Sequence, residues 1–195
     1  AREMSSKFDQ HLDRNGANSA ALTPLSFIER TAAVYPECLA IVHGALRQTW
    51  QQTYARCRQL ASSLQRAGIG KNDTVVVILP NTPPMVEAHF GVPMAGAVLN
   101  TLNTRLDPEA LAFMLDHGEA KALIVDPEFA PVMAKALQLR TRTDPLLVIQ
   151  TQDALYGEAA VQVGSVDYED FVAQGDADFA WALPDDEWDA IALNY

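Results

Sequence analysis

Residues 74–84 read Thr74-Val75-Val76-Val77-Ile78-Leu79-Pro80-Asn81-Thr82-Pro83-Pro84, and this stretch decides the fold class. Its first half is apolar or β-branched without alternation, which is typical of a strand buried on both faces of a sheet. Pro83 and Pro84 suit the first turn of a helix, where a missing backbone N–H costs no hydrogen bond. The stretch therefore predicts a buried strand that leads directly into a helix.

The same alternation of strand and helix continues towards the C-terminus. Further strands are predicted at 97–101, 121–125 and 146–149. The intervening helices begin at Asp107-Pro108-Glu109 and Asp126-Pro127-Glu128, where Asp is a good N-cap and Pro a good first residue. Strands that are apolar on both faces, separated by amphipathic helices, predict an α/β fold with a largely parallel sheet flanked by helices.

The residues before this stretch predict a helix and a short β-hairpin. Ser26 and Glu29 have the spacing of a capping box at the start of the helix. Residues 39–43 and 46–50 are two short strands joined by Gly44-Ala45, and a two-residue connection that contains Gly favours a hairpin.

A second helix follows, with Thr49 and Gln52 placed to cap its start and Gly68 to end it. Gly68-Ile69-Gly70-Lys71 superficially resembles a phosphate loop. A phosphate loop joins a strand to a helix, whereas this segment joins a helix to a strand. A helix end followed by a tight turn is the better interpretation.

The two ends of the chain differ in character. Residues 1–22 are polar and predict an irregular arm over the surface, whereas residues 23–195 predict an incomplete N-terminal α/β subdomain. Residues 151–184 form a polar, acidic excursion with one helix, Tyr168–Ala173, capped by Asp167. Residues 188–195 predict a buried strand without a polar cap after it, which is typical of a domain whose remainder lies on further polypeptide.

Composition excludes several classes of protein. A net charge of −11 argues against a nucleic-acid interface, which needs clustered Lys and Arg. No apolar run approaches the ~20 residues that span a bilayer. Cys38 and Cys57 are unclustered, and no secretory signal is evident. We therefore expect a cytoplasmic protein that binds no nucleic acid and has no membrane span.

The candidate site residues are few. None of His11, His43, His89 and His117 has a metal-ligand spacing, so no metal site is predicted. His89 follows the buried strand and is a candidate for a substrate cleft at the carboxyl ends of the strands, with a packing role as the alternative. His117 lies in the last turn of its helix, where it favours the dipole. No nucleophile–base pattern occurs, and no catalytic residue is assigned.

Several segments together resemble the AMP-forming acyl-CoA synthetases, which are adenylate-forming acid–CoA ligases. These segments are residues 22–32, 48–50, 58–64, 68–75, 79–82 and 96–103. Residues 96–106 look most like the branch of medium-chain and methylthio-propionate-type ligases. Residues 185–195 are similar to the approach to the family's ATP-phosphate loop, which makes Tyr195 a candidate for the flank of that loop.

The resemblance implies a two-step reaction and its ligands. A carboxylic acid, fatty or of short or medium chain, would be activated with Mg²⁺ and ATP to an acyl-adenylate and then transferred to coenzyme A. The family's phosphate loop, acidic ligands and C-terminal Lys have no counterpart among these residues, so this chain alone is not expected to catalyse. The implied partners are the small-molecule acid, the remainder of its own enzyme, and a second copy in a homodimer.

Two alternatives stay open at this point. The first is a truncated, non-catalytic binding or regulatory module of the same fold. The second is an adenylation unit, luciferase-like or of the peptide-synthetase kind, that passes the acyl group to oxygen or to a carrier protein.

Overall fold

The structure, a computed structural model, describes residues 8, 10–11, 13–157 and 161–195. The strands are β1 (Leu39–His43), β2 (Leu46–Thr49), β3 (Thr74–Ile78), β4 (Val98–Thr101), β5 (Ala120–Val125), β6 (Leu147–Gln150), β7 (Val166–Asp167) and β8 (Ala192–Leu193). The α-helices are α1 (Leu25–Val34), α2 (Trp50–Arg66), α3 (Pro83–Met94), α4 (Pro108–His117), α5 (Ala130–Leu139) and α6 (Tyr168–Ala173). A single 3₁₀ turn, Pro127–Phe129, leads into α5.

Strand pairing confirms the predicted α/β class. Strands β1 and β2 form an antiparallel hairpin. The other six strands form one sheet in the order β7-β6-β5-β3-β4-β8, with every neighbouring pair parallel. All residues of β3 are buried, as the unbroken apolar run predicts, because β3 lies inside the sheet with helices on both sides.

The helices form two layers, one on each face of the sheet. Alternate residues of β3 point to opposite faces, so Val75 and Val77 pack with α1, α2, α3 and α6. Val76 and Ile78 pack with α4 and α5. Burial of these two sets of apolar side chains supplies the main stabilisation of the fold.

Three predicted N-caps are confirmed. Thr49 and Gln52 form a reciprocal capping box at the start of α2. The Asp107 carboxylate accepts from the backbone N–H of Ala110 at 2.8 Å. Asp167 accepts from the first N–H groups of α6. Each of these side chains satisfies a backbone donor that the helix itself leaves unpaired.

The capping box predicted at Ser26 and Glu29 is wrong. Helix α1 begins two residues earlier than that box requires, with Pro24 as its N-cap and no side-chain cap. The Ser26 hydroxyl instead donates to the Thr23 carbonyl at 2.8 Å. Because Thr23 and Pro24 already turn the chain into the helix, Ser26 lies within it.

The burial expected for the last strand is also wrong. Strand β8 forms and pairs with β4, but it is two residues long and lies at the edge of the sheet. Ala192 is exposed and Leu193 is only partly buried. An apolar run marks a strand but does not say whether a neighbour covers its second side.

The predicted division at residue 22 stays a prediction. Residues 1–7, 9 and 12 of the expected arm, and residues 158–160 of the acidic excursion, lie outside the described residues. Residues 13–24 contain turns but neither helix nor strand. The backbone N–H of Leu22 donates to the Glu187 carboxylate at 2.9 Å, which ties this part of the chain to the segment before β8.

Candidate functional site

Tyr195 lies just beyond β8 and is held by the last turn of α4. Its hydroxyl is 2.7 Å from Nδ1 of His117. The Phe113 ring stacks on the His117 ring, and the His117 ring meets the Tyr195 ring edge-on, with centroids 5.7 Å apart. Partial burial raises the pKa of Tyr195, so the hydroxyl keeps its proton at neutral pH and remains a hydrogen-bond donor.

Gly118 allows this close approach between α4 and the end of β8. A Cβ at Gly118 would lie 3.2 Å from a methyl carbon of Leu193 and 3.3 Å from the Tyr195 hydroxyl. It would also lie 3.0 Å from the Met114 carbonyl oxygen. The backbone of Gly118 is in the ordinary right-handed region, and the left-handed residue of this turn is Glu119. Gly118 is therefore needed for space and not for conformation.

Asn100 is a buried polar side chain next to this contact. It is fully buried in β4 and lies opposite Leu193 of β8. Its neighbour Leu99 packs into the α1–α2–α3–α6 layer, so Asn100 faces the α4 side of the sheet. Within residues 13–157 and 161–195, neither the amide nitrogen nor the amide oxygen has a hydrogen-bond partner. A buried polar group without a partner is costly, so its presence calls for an explanation.

Polar side chains gather at the carboxyl ends of β5 and β6. Asp126 follows β5, accepts from the backbone N–H of Glu128, and approaches the Thr151 hydroxyl at 3.4 Å. Burial raises the pKa of Asp126, and the Asp153 charge adds to the effect. Nε2 of His43, on the hairpin, lies 3.2 Å from both carboxylate oxygens of Asp153. This is the edge at which open parallel sheets bind ligands.

The structure does not bring His89 and Tyr195 together. His89 lies midway along α3 with an exposed side chain, and its Nδ1 donates to the Met85 carbonyl at 2.7 Å. Helix α3 packs on one face of the sheet and α4, which holds Tyr195, on the other. The two sequence candidates therefore stand on opposite sides of the sheet.

The opposite, amino edge of the sheet carries a cavity of about 600 Å³. Gly68 and Gly70 lie there, in the turn between α2 and β3. The Gly70 N–H donates to the Asp73 carboxylate at 2.9 Å, which is the behaviour of a structural turn. Lys71 pairs with both Asp185 and Asp189 at 3.1 Å. The interpretation of this segment as a turn and not a phosphate loop is confirmed.

Two features of the α4 side were missed from the sequence. His117 was assigned only a dipole role, because its contact with Tyr195 joins residues 78 positions apart. Asn100 gave a readable signal, since a polar amide interrupts the apolar strand Val98–Thr101.

Across the described residues no group of three His, Cys, Asp or Glu side chains could hold a metal ion. In the same part of the chain, no helix is long and apolar enough to cross a bilayer.

An open parallel sheet with helices on both faces defines the class of α/β proteins that bind ligands at the carboxyl edge. Comparison with known families narrows this class. The chain belongs to the AMP-binding enzyme family, which matches residues 28–195.

Its relatives are CoA ligases. The chain is 45% identical over 193 residues to an acetate–CoA ligase of Humulus lupulus, with 94% of this chain covered. It is 44% identical to a peroxisomal acetate/butyrate–CoA ligase of Arabidopsis thaliana over 92% of this chain. It is 45% identical to a peroxisomal trans-cinnamate:CoA ligase of Petunia hybrida over 94%.

These relatives are much longer than this chain. It spans about a third of the length of each: 34% of the Humulus and Petunia ligases and 33% of the Arabidopsis one. A crystal structure of an anthranilate CoA ligase with anthranoyl-AMP superposes with a TM-score of 0.79 at 20% identity. That superposition covers 93% of this chain and 34% of the ligase, and it shows a shared fold.

Proposed function

We propose that this chain is the N-terminal portion of an acid–CoA ligase that forms an acyl-adenylate from ATP and transfers the acyl group to coenzyme A. The observation that carries the proposal is the identity of 44–45% to three named CoA ligases over 92–94% of the chain. Those ligases are named for acetate, butyrate and trans-cinnamate. A small carboxylic acid is therefore the proposed substrate class here, with fatty acids as the longer members.

The proposed reaction has two steps. A carboxylate oxygen of the acid attacks the α-phosphorus of ATP, and pyrophosphate leaves. The thiol sulfur of coenzyme A then attacks the acyl carbonyl, and AMP leaves. Charge on the phosphates would be offset by backbone donors, cations and Mg²⁺. The described residues hold no group suited to Mg²⁺, so its ligands are proposed to lie elsewhere in the protein.

Two residues of this chain have proposed places in that reaction. Tyr195 is proposed to flank the loop that holds the ATP phosphates, because it stands directly after a parallel strand at the carboxyl edge. His89 is proposed to line the acid cleft through Nε2, which has no hydrogen-bond partner within the described part of the chain. His89→Ala in the complete protein should then raise KM for the acid more than KM for ATP.

The direct test is acid-dependent exchange of pyrophosphate into ATP, with acetate, butyrate, a medium-chain acid and cinnamate as probes. We expect exchange with at least one acid, and an acyl-CoA product once coenzyme A is added. Exchange without thioester formation would favour an adenylation unit that uses another acceptor. No exchange with any acid would favour the non-catalytic module.

Three finer expectations belong to the same proposal. Residues 96–106 predict the medium-chain and methylthio-propionate-type branch, which the acid panel tests. A cytoplasmic location is proposed, although two of the relatives above are named as peroxisomal. Fluorescence microscopy of the tagged complete protein distinguishes these compartments.

A homodimer is proposed, and light scattering tests it by measuring the molar mass of the complete protein in solution.

A further inference from the structure

The end of β8 contacts α4 as well as its own sheet. Only Ala192 and Leu193 pair with β4, and the other side of β8 has no neighbouring strand among the described residues. Tyr195 is not part of the strand, yet its ring is seated on the last turn of α4. The seat consists of Phe113, His117 and Gly118, and we call it the α4 seat.

The contacts of the α4 seat are directional and tight. The bond between the Tyr195 hydroxyl and Nδ1 of His117 is 2.7 Å long, which is the length of a well-formed bond to a hydroxyl. Stacking of Phe113 on His117, with centroids 5.2 Å apart, fixes the plane of the imidazole. Because Gly118 has no Cβ, Leu193 and Tyr195 can approach the end of α4 closely. Three separate features thus serve one contact.

We propose that His117 is a positioning residue for the ATP-dependent step, acting through Tyr195 to fix the strand end from which the phosphate loop departs. This inference rests on the proposed function. Donors around a transferring phosphoryl group act only when they are held within about 0.5 Å of the productive geometry. The α4 seat supplies part of that constraint, because it holds Tyr195, two residues after β8, through a directional hydrogen bond.

The unpartnered amide of Asn100 agrees with this assignment. It lies opposite Leu193, inside the sheet and directly beside the strand that the α4 seat holds. A Leu at this position would satisfy the apolar core better than a buried amide does. Asn100 thus weakens the interior at the same strand whose end α4 secures from outside.

The test uses the complete protein with His117→Leu, Tyr195→Phe, and both together. We expect KM for ATP in the exchange reaction, and the dissociation constant of ATP measured by calorimetry, to rise about 5- to 20-fold in each single variant. KM for the acid should stay within about twofold, because the seat acts on the phosphate side only. The double variant should bind ATP no more weakly than the weaker-binding single variant does, because both substitutions remove the same interaction.

Two further variants make the result specific. His117→Asn places an amide where Nδ1 stands, so it should restore most of the ATP affinity that His117→Leu loses. Tyr35→Phe is the matched control, because Tyr35 is exposed to a similar degree and its hydroxyl has no hydrogen-bond partner in the described ranges. It should bind ATP as the unmodified protein does.

The outcomes separate this inference from the proposed function. If the unmodified protein exchanges pyrophosphate while the single variants keep its affinity for ATP, the positioning role is refuted and the proposed function stands. Equal rises in KM for the acid and for ATP also refute it, and so do additive losses of ATP affinity in the double variant. Either result would indicate a general loosening of the structure. If the unmodified protein shows no pyrophosphate exchange, both the positioning role and the proposed function are overturned.

Discussion

Two buried polar side chains, one on each face of the sheet, are treated in opposite ways. On the side of α1, α2, α3 and α6, the Glu87 carboxylate is fully buried and its oxygens are occupied by Arg56, Tyr168 and Gln48. On the side of α4 and α5, the buried amide of Asn100 has no partner among the described residues. The Glu87 charge is completely enclosed by partners, whereas the neutral Asn100 amide has none among the described residues.

This difference distinguishes a buried group that the described residues satisfy from one that they do not. The Glu87 cluster joins two long helices to the small helix α6, so it locks the acidic excursion onto the sheet. Burial by itself lowers the pKa of Arg56, but hydrogen bonds to Glu87 and Glu169 outweigh it and raise that pKa overall. The guanidinium is therefore permanently charged. On the other face, Asp116 of α4 accepts hydrogen bonds from Arg140, Thr141 and Arg142, which tie α4 to the end of α5.

The largest effect is expected from Glu87→Ala. Removing the carboxylate leaves part of the buried side of Arg56 and the Tyr168 hydroxyl without their partner, so the free energy of unfolding should fall by about 3–5 kcal/mol. Urea unfolding followed by tryptophan fluorescence measures it. Glu169→Ala is the matched control, because Glu169 binds the same guanidinium but is mostly exposed. Its loss should stay below about 1 kcal/mol, and equal losses would contradict the comparison.

The same substitution at two glycines should give the next largest contrast. A Cβ at Gly175 would lie 1.9 Å from the Gln59 carbonyl oxygen, so α2 and the turn after α6 would have to separate. Gly175→Ala should therefore cost about 2–3 kcal/mol. Gly118→Ala meets the Met114 carbonyl oxygen at 3.0 Å and the flexible Leu193 side chain at 3.2 Å, contacts much less severe than that at Gly175, and should cost about 1 kcal/mol. Urea midpoints compare the two, and a reversed order would show that the α4 side is the more rigid.

A gain is expected from Asn100→Leu. The change replaces two unpartnered polar atoms with an apolar side chain of similar size, so the free energy of unfolding should rise by about 1 kcal/mol. Thermal and urea unfolding of the complete protein check this. A loss of stability would show that the amide has a partner outside the described residues. Asn100→Asp serves as the opposite control, because a buried charge there should destabilise the protein.

The smallest effect is a pH dependence at Asp116, on the α4 side. Burial raises the pKa of this carboxyl, but hydrogen bonds from Thr141, Arg142 and Arg140 outweigh it and lower the pKa overall. A lowered pKa in the folded state means that the stabilisation is present above about pH 4 and lost as the pH falls further. Asp116→Asn should lower Tm at pH 7, and its difference from the unmodified protein should shrink below about pH 3. A constant difference would contradict this.

Local sequence predicted most of the fold. The unbroken apolar run of β3, the Asp-Pro-Glu starts of two helical segments, and the Thr49 capping box each act within a few residues. Such signals depend on backbone geometry, which neighbouring residues determine. They are therefore readable without knowledge of the tertiary structure.

The candidate site could not be predicted in the same way. The contact between His117 and Tyr195 depends on α4 crossing the sheet next to β8, and no local pattern contains that information. Strand β7 was missed because two residues are too few for a periodicity. The box at Ser26 was predicted because spacing alone does not reveal that Pro24 already begins the helix. Each of these misses concerns a long-range contact, an element too short to show a period, or a competing local start.

Lys71 gives the segment before β8 a second attachment, of a different physical kind. Its ammonium group bridges Asp185 and Asp189 at a well-hydrated surface, where dissolved ions compete with it. The Debye length shrinks from about 8 Å at 0.15 M to about 3 Å at 1 M salt, so this attachment weakens with ionic strength. The hydrogen bond between Tyr195 and His117 is not an ion pair of this kind. High salt should therefore weaken the attachment at Lys71 and leave the contact between Tyr195 and His117 in place.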